Sequence, residues 1–155
     1  KLNLFGDVTW TRHSRFNEAH LKFANPKRTL SGALSNETVI YPNWRNTYKV
    51  GLGASYQYSE PLQLRGGIAF DQSPVRSADE RLVTLPDANR LWFSLGAKYD
   101  FNRQHSIDVA YSHIHINNAS TRTQGGTTYV DSNVRSHASY KSSANILGLQ
   151  YNYRF

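Results

Sequence analysis

The chain has no cysteine and no methionine among its 155 residues. Without cysteine it can form neither a disulfide framework nor a cysteine-ligated metal site, which excludes the small disulfide-rich secreted folds. It also lacks any run of 18 or more apolar residues, so we expect no transmembrane helix. The opening stretch KLNLFGDVTW has no basic and then apolar leader, and position 1 is not methionine. This start indicates a mature or truncated chain without its signal peptide.

Charge and hydropathy leave the class of protein open. The net charge is +7, from 18 Lys and Arg against 11 Asp and Glu. Nucleic-acid-binding domains group their cations, whereas these are scattered, so we expect no nucleic-acid partner. The mean hydropathy of −0.61 resembles that of soluble proteins, but this average does not detect a transmembrane barrel, whose strands alternate apolar and polar residues. Ten tyrosines and 13% aromatic residues favour a β protein or an interfacial aromatic belt.

Strict alternation of apolar and polar residues predicts seven strands. They cover residues 2–11, 18–23, 47–57, 62–71, 90–101, 106–112 and 145–155. Most of them have about 10 residues or more, whereas an average soluble strand has about 5–6. A tilted transmembrane strand needs about 9–11 residues. No helical periodicity persists, so the pattern predicts an all-β, antiparallel transmembrane β-barrel.

The connections between these strands alternate in length. Short ones are expected at Arg12–Arg15, Ser59–Pro61 and Asn102–His105, and long ones at Asn25–Arg45, Gln72–Asn89 and Asn117–Ser142. Short turns on one side and long loops on the other are typical of bacterial outer-membrane barrels. We therefore expect the bacterial outer membrane as the location, with the long loops outside and Phe155 at the periplasmic edge.

Charges of both signs occupy the polar positions of the alternation. Such ions would each cost several kcal/mol in a soluble core unless paired, but not in a water-filled lumen. They are Asp7, Glu18, Lys22, Lys49, Arg65, Asp71, Lys98, Asp100, Asp108 and Arg154. The apolar positions then require lipid, which predicts a barrel wall.

A seven-stranded barrel does not close as bacterial barrels do. Single-chain barrels have even strand numbers, and an open sheet edge in hydrocarbon leaves backbone groups unpaired. The first strand is expected to begin on the long-loop side, so at least one strand should precede it. We therefore expect residues 1–155 to be the C-terminal part of one larger barrel domain.

Five motifs occur in an order typical of one family. They are DVTWTRHSRF (7–16), NWRNTYKVGLGASYQY (43–58), LRGGIAFDQSPV (64–75), LPDANRLWFSLGAKYDF (85–101) and the terminal NYRF. Together they closely resemble the C-terminal half of FadL-type outer-membrane proteins, which transport long-chain fatty acids and other hydrophobic compounds. The resemblance covers nearly all of the chain and is weakest at 27–42 and 120–141.

That resemblance implies a 14-stranded barrel plugged by an N-terminal hatch, with this chain supplying its last seven strands. It implies passive transport without enzymatic activity, cofactor or metal. The partners implied are the lipid bilayer, lipopolysaccharide and a hydrophobic ligand such as a fatty acid or hydrocarbon. The terminal Phe155 fits the aromatic signal by which barrel-assembly machinery recognises outer-membrane proteins.

Four residues are candidates for binding the ligand. An anionic lipid head group would need cations at the barrel mouth or inside it. Arg45, Lys49 and Arg90 lie near the outer ends of predicted strands, and Trp92 points inward by alternation. Alternatively, these cations pair with carboxylates across the barrel, namely Asp71, Asp87 or Asp100.

Aromatic residues at the apolar positions predict membrane-interface belts. These are Trp10, Tyr48, Tyr56, Tyr58, Tyr99, Phe101, Tyr151, Tyr153 and Phe155.

Three other classes of protein are considered. A barrel enzyme could use His113 and His115, which share one strand face with Asp108 nearby, although exposed histidines where the strand leaves the membrane explain them equally. A surface adhesin or receptor could use the basic loops. A soluble β protein would be monodisperse without detergent.

Overall fold

The computed structural model describes residues 1–28, 32–83, 85–123 and 136–155. The strands in these residues are β1 Leu2–Thr11, β2 Ala19–Arg28, β3 Leu34–Ile40, β4 Thr47–Gln57, β5 Leu62–Asp71, β6 Arg90–Asp100, β7 His105–Thr123 and β8 Ser136–Tyr153. One 3-10 turn, His13–Arg15, follows β1. Among the described residues no helix is long and apolar enough to cross a membrane.

Six strands form one antiparallel sheet in the order β1-β4-β5-β6-β7-β8, and β2 pairs only with β3. The ladders are regular between β1 and β4, where Leu2 pairs with Tyr56 and Thr11 with Thr47, and they stay regular through β4, β5 and β6. The predicted all-β antiparallel architecture is confirmed. The alternation in the sequence sets this register, because a slip by one residue would exchange the two faces.

The predicted count of seven barrel strands is wrong, because β2 does not join the main sheet. β4 occupies the pairing edge of β1 along its whole length. The 3-10 turn after β1 is attached to the start of β4, where the Ser14 N–H donates to Asn46 Oδ1 at 3.1 Å. β2 also contains Pro26, which cannot donate to a ladder. It therefore forms a separate hairpin with β3.

The six-stranded sheet also changes the expected side on which β1 begins. The Gln57 N–H donates to the carbonyl of Lys1 at 2.9 Å, next to the short turn at Ser59–Pro61. β1 therefore begins on the short-turn side, not on the long-loop side as predicted. The Arg154 N–H donates to the carbonyl of Gln104 at 2.8 Å, so the last strand ends on that side too. The described parts of the long connections lie at the opposite end, here called the outer end. Arg12–Arg15, predicted as a short connection, also lies at the outer end, beside the start of β4.

Two of the predicted long loops contain strands. β3 lies within 25–45, and β7 and β8 remain paired beyond Asn117, as far as Thr123 and Ser136. A register shift between Ile116 and Ala119 marks where this hairpin leaves the main sheet. The rest of the predicted loop, 124–135, lies outside the described residues. The outer end thus carries two pairs of described strands, β2 with β3 and the outer parts of β7 with β8.

The two faces of the sheet differ in chemistry and exposure. The apolar face carries large exposed side chains, including Leu52, Leu95 and Leu147, with exposed fractions of 61%, 69% and 78%. On the polar face Thr47, Ser55 and Ser106 are buried. The polar face includes Phe5, Asp7, Lys49, Arg65, Arg90, Trp92, Lys98 and Asp108.

The buried core sits at the outer end of the sheet. Val75, Ala88, Ala119 and Thr121 are buried where loop 72–89 meets β7. The loop is fixed at both ends, because the Ser73 N–H donates to Asn89 Oδ1 at 2.9 Å. This packing holds the first residues of β6 in place.

Candidate functional site

A shallow depression in the polar face is built from four positions that have little or no side chain. The register places Gly51 beside Ala69 and Gly53 beside Gly67 on the adjacent strands β4 and β5. These four residues are flanked by Asp7 and Phe5 of β1 on one side and by Trp92 and Ser94 of β6 on the other. Large side chains around small ones leave a cavity of about 320 Å³. It is lined by Phe5, Gly6, Asp7, Lys49, Gly51, Leu52, Gly53, Gly67, Ile68, Ala69, Trp92 and Ser94.

Lys49 and Trp92 meet at the outer edge of this depression. The Lys49 ammonium lies 4.6 Å from the centroid of the Trp92 ring, a cation-π contact. No carboxylate of the described residues is within ion-pair distance of Lys49, although Asp71 is its direct cross-strand neighbour. The indole N–H of Trp92 is buried without a hydrogen-bond partner. Two unmatched donors beside an apolar cavity suit a ligand that brings an acceptor or an anion.

Arg90 is held by carboxylates instead. Its Nη2 lies 3.0 Å from Asp87 Oδ1, and its Nη1 lies 3.8 Å from Asp71 Oδ2. The pairing with Asp71 and Asp87 considered above is therefore present for this cation. Asp100 instead pairs with Lys98, at 2.8 Å.

Arg45 lies outside the depression, two residues before β4. Its Nε donates to the carbonyl of Ser73 at 3.2 Å, and its backbone N–H donates to the carbonyl of Pro74 at 3.0 Å. Both bonds attach the segment before β4 to loop 72–89. The structure thus brings Lys49, Trp92 and Arg90 to adjoining positions and leaves Arg45 at the loop.

The short-turn half of the polar face is charged and internally paired. Arg65 Nη1 lies 3.2 Å from Asp108 Oδ1, and the Asn152 amide donates to the other oxygen of Asp108 at 2.9 Å. A wider cavity of about 790 Å³ lies here, beside Arg154. In this half, unlike at Lys49, the cations Arg65 and Lys98 each have a carboxylate partner.

Phe5, Gly51 and Gly53 were not predicted from the sequence as residues of a site. Phe5 occupies a polar-face position of β1 and interrupts the polar series formed by Asn3, Asp7 and Thr9. Gly51 and Gly53 likewise stand at polar-face positions. An aromatic residue on the polar side of one strand, beside glycines on the polar side of the next, is the signal that could have revealed a cavity.

His113 and His115 are not placed for catalysis with Asp108. The histidines lie on the apolar face, whereas Asp108 has the opposite parity on β7 and pairs with Arg65 on the polar face. His113 Nδ1 lies 2.8 Å from Asn145 Oδ1, which also accepts from the Tyr111 hydroxyl at 2.8 Å. Among the described residues, no group of three or more histidine or acidic side chains is placed to hold a metal ion.

Ion pairs also order the outer end. The Arg122 guanidinium donates two hydrogen bonds to the Asp79 carboxylate, at 2.9 and 3.3 Å. These hydrogen bonds lower the pKa of Asp79 and raise the pKa of Arg122. Arg81 donates to the carbonyls of Ser120 and Asp87, and burial lowers the pKa of Arg81 from its usual value. Loop 72–89 is thereby tied to β7.

The aromatic side chains predicted to form interface belts are exposed. Trp10 and Tyr48 are direct cross-strand partners near the outer end. At the short-turn end, the Tyr153 ring stacks edge-on against Phe155, with centroids 5.1 Å apart. The exposed predicted aromatics are Trp10, Tyr48, Tyr56, Tyr58, Tyr99, Phe101, Tyr151, Tyr153 and Phe155.

Comparison with known proteins gives matches over the whole chain. A family model described as Outer membrane protein transport protein (OMPP1/FadL/TodX) matches residues 1–155. An outer membrane protein of Neisseria meningitidis serogroup B is 59% identical over 156 residues, which cover 100% of this chain and 33% of that protein. A long-chain fatty acid transport protein of Escherichia coli O6:H1 is 36% identical over 126 residues, covering 78% of this chain and 26% of that protein.

A solved structure matches the fold. The crystal structure of a Pseudomonas aeruginosa FadL homologue is similar with a TM-score of 0.75 and 28% sequence identity, over 98% of this chain and 32% of that chain. The chain thus spans about a third of the length of the proteins it matches.

Proposed function

The chain belongs to the OMPP1/FadL/TodX family of outer-membrane transport proteins, and from this premise we propose that its polar face binds a hydrophobic compound with an anionic head group on the way across the outer membrane. A long-chain fatty acid is the ligand we put first, since a relative in Escherichia coli is named a long-chain fatty acid transport protein. The family is one of Gram-negative outer-membrane proteins with a transport function, not an enzymatic one. The observation that carries the proposal is the unpaired Lys49 ammonium over the Trp92 ring.

Lys49 binds the head group in this proposal. A carboxylate at the depression would accept from the ammonium and from the buried indole N–H of Trp92, which otherwise has no partner. Hydrogen bonds between charged groups are about twice as strong as neutral ones. The aromatic ring beneath the ammonium keeps the ammonium in place and leaves its charge available. A carboxylate partner would neutralise that charge.

Arg90 and Arg45 have supporting roles in this proposal. Arg90 is already shared between Asp71 and Asp87, so a ligand carboxylate would have to displace a protein one. Arg45 is engaged with the backbone of loop 72–89. We assign both to holding the outer end of the sheet around Lys49 and Trp92.

The apolar part of the ligand occupies the depression between Phe5 and Trp92. Its burial supplies affinity at about 25 cal/mol per Å² of apolar area removed from water. The charged band around Arg65 and Asp108 ends the apolar surface on the short-turn side. The site therefore suits an amphipathic molecule better than a purely polar one.

The test compares Lys49→Gln with Lys22→Gln in the protein at its full natural length. Lys22 is an exposed lysine of the separate β2–β3 hairpin, which makes it a matched control. We expect Lys49→Gln to weaken binding of palmitate roughly 10-fold or more, the effect of one charge-assisted hydrogen bond of about 1.5–3 kcal/mol. Binding of the corresponding alcohol should change little. Equal palmitate affinity in both variants and the parent protein would contradict the proposal.

We also infer that Phe155 engages the barrel-assembly machinery and that the outer aromatic pair Trp10 and Tyr48 contacts lipopolysaccharide. The Phe155 ring is exposed two residues beyond the end of β8, which leaves it available to a partner. Deleting Phe155 should lower the assembled fraction in cells, whereas unchanged assembly would refute that role.

Trp10→Ala should reduce co-purified lipopolysaccharide, and no reduction would refute the second role.

A further inference from the structure

We infer, resting on the proposed function, that Gly51 and Gly53 select ligands by thickness: the bare backbone at these two residues forms the floor on which an unbranched apolar chain lies. Lys49 determines which head group binds, and the floor determines which tail fits. The ligand class this selects is a slim, unbranched chain rather than a branched one or a rigid polycyclic one.

The dimensions of the floor follow from strand geometry. Gly51 and Gly53 lie two residues apart on one face, about 6.7 Å along the strand, and their partners Ala69 and Gly67 lie about 4.8 Å across. The distance across the two strands, about 4.8 Å, is close to the width of a single extended alkyl chain. Phe5 on one side and Trp92 on the other rise above the floor as side walls.

Backbone geometry does not explain Gly51 and Gly53. Neither adopts a positive φ, which among the described glycines occurs at Gly32. A Cβ built on Gly51 would meet Ala69 Cβ at 3.7 Å, and one on Gly53 would meet the Gly66 carbonyl at 3.5 Å, both ordinary contacts. Glycine weakens strands, so these two residues leave a stability gain unused. What they provide is open space above the backbone.

Gly67 differs from its two neighbours on the floor. A Cβ there would lie 3.2 Å from the Leu52 carbonyl oxygen and 3.7 Å from Gly53 Cα. That close approach of β4 and β5 gives Gly67 a structural role. It is therefore unsuitable as a test position, whereas Gly53 is suitable.

The volume of the depression also limits which ligand tails can bind. Its lining is mostly apolar, and its volume is about 320 Å³. Gly53 lines this cavity two residues farther along β4 from Lys49 than Gly51 does, so a side chain there would take up part of its volume. It would obstruct the tail of a long ligand and leave the head-group position open.

The experiment uses Gly53→Val in the full-length protein, with Gly148→Val as matched control. Gly148 lies on the same polar face, on β8, away from the depression, and a Cβ there would meet atoms of Ala110 at 3.9 Å. Affinities are measured for palmitate, a methyl-branched acid of the same carbon number, and hexanoate. We expect the parent protein to prefer palmitate over its branched isomer. Gly53→Val should weaken palmitate at least about tenfold and leave hexanoate unchanged.

The outcomes separate this inference from the proposed function. If Lys49→Gln weakens palmitate binding but Gly53→Val does not, the floor has no selective role and the inference is overturned alone. If neither variant weakens palmitate binding, the proposed function is contradicted, and the inference that rests on it is overturned with it. If Gly148→Val weakens palmitate as strongly as Gly53→Val, the effect is not local and the inference is also overturned. Should Gly53→Val fail to assemble, Gly53→Ala tests the same point with a smaller obstruction.

Discussion

At the residue scale, three cations of the polar face have different partners. Lys98 and Arg65 each have a carboxylate partner near 3 Å, whereas Lys49 lies over an aromatic ring. The sequence predicts that Lys49 and Trp92 share a face, because parity along a strand is fixed. It does not predict that Asp71, directly opposite Lys49, pairs with Arg90 instead. That choice depends on side-chain reach across strands, which alternation does not encode.

The stability of the β2–β3 hairpin should depend on pH because one of its residues, His20, titrates. Hydrogen bonds to Glu37 and then to Glu18 raise the pKa of His20 above its ordinary value of 6.5. The protonated ring therefore stabilises the hairpin fully below that ordinary value, and this contribution is lost as pH rises through the raised pKa. We expect amide protection factors in β2 and β3 to fall over this range and those in β5 to stay constant.

His20→Gln provides the control for that pH dependence. The variant removes the titrating ring and should give a hairpin whose protection no longer changes as pH rises from the ordinary histidine pKa of 6.5. An identical pH profile in the parent protein and the variant would show that another group is responsible.

At the element scale, alternation identifies strands but not the sheet that each one joins. The stretch 18–23 alternates as regularly as its neighbours, yet β2 pairs with β3 outside the main sheet. β3 itself, with apolar Leu34, Val39 and Ile40 among polar residues, does not show a regular alternation. The strands of the main sheet are predictable because lipid on one face and water on the other enforce a period of two. Outside the membrane that constraint is absent.

Loop 72–89 should loosen when its ion pair to β7 is removed. Asp79→Asn takes away the charge that meets Arg122, so we expect faster hydrogen exchange at the Arg122 amide, which donates to the Ala78 carbonyl at 2.9 Å. Because Arg122 lowers the pKa of Asp79, the stabilisation is present above the ordinary pKa of 3.8 and is lost as pH falls through the lowered value.

The matched control for the loop is Glu60→Gln, an exposed acidic residue at a short turn. It should leave exchange at Arg122 unchanged. If Asp79→Asn behaves like this control, the ion pair contributes nothing to the order of the loop, as many exposed pairs do.

At the scale of the whole molecule, the family and the barrel wall could both be read from the sequence. The predicted membership of the FadL family and the outer-membrane location are confirmed by the match over residues 1–155. The strand count could not be obtained, since it required knowing that β1 pairs directly with β4. The depression was not foreseen either, because it arises from four strands side by side. Only the register brings Phe5, Gly53, Gly67 and Ser94 into one row.

The most direct test of the central claim is a crystal structure of the full-length protein with a long-chain fatty acid brominated at its last carbon. Bromine locates the tail by anomalous scattering, independently of the protein model. We predict a carboxylate within hydrogen-bonding distance of Lys49 Nζ and the Trp92 indole N–H, with the chain lying over Gly53. A carboxylate bound elsewhere in the lumen, with Lys49 facing solvent and the depression empty, would contradict the account.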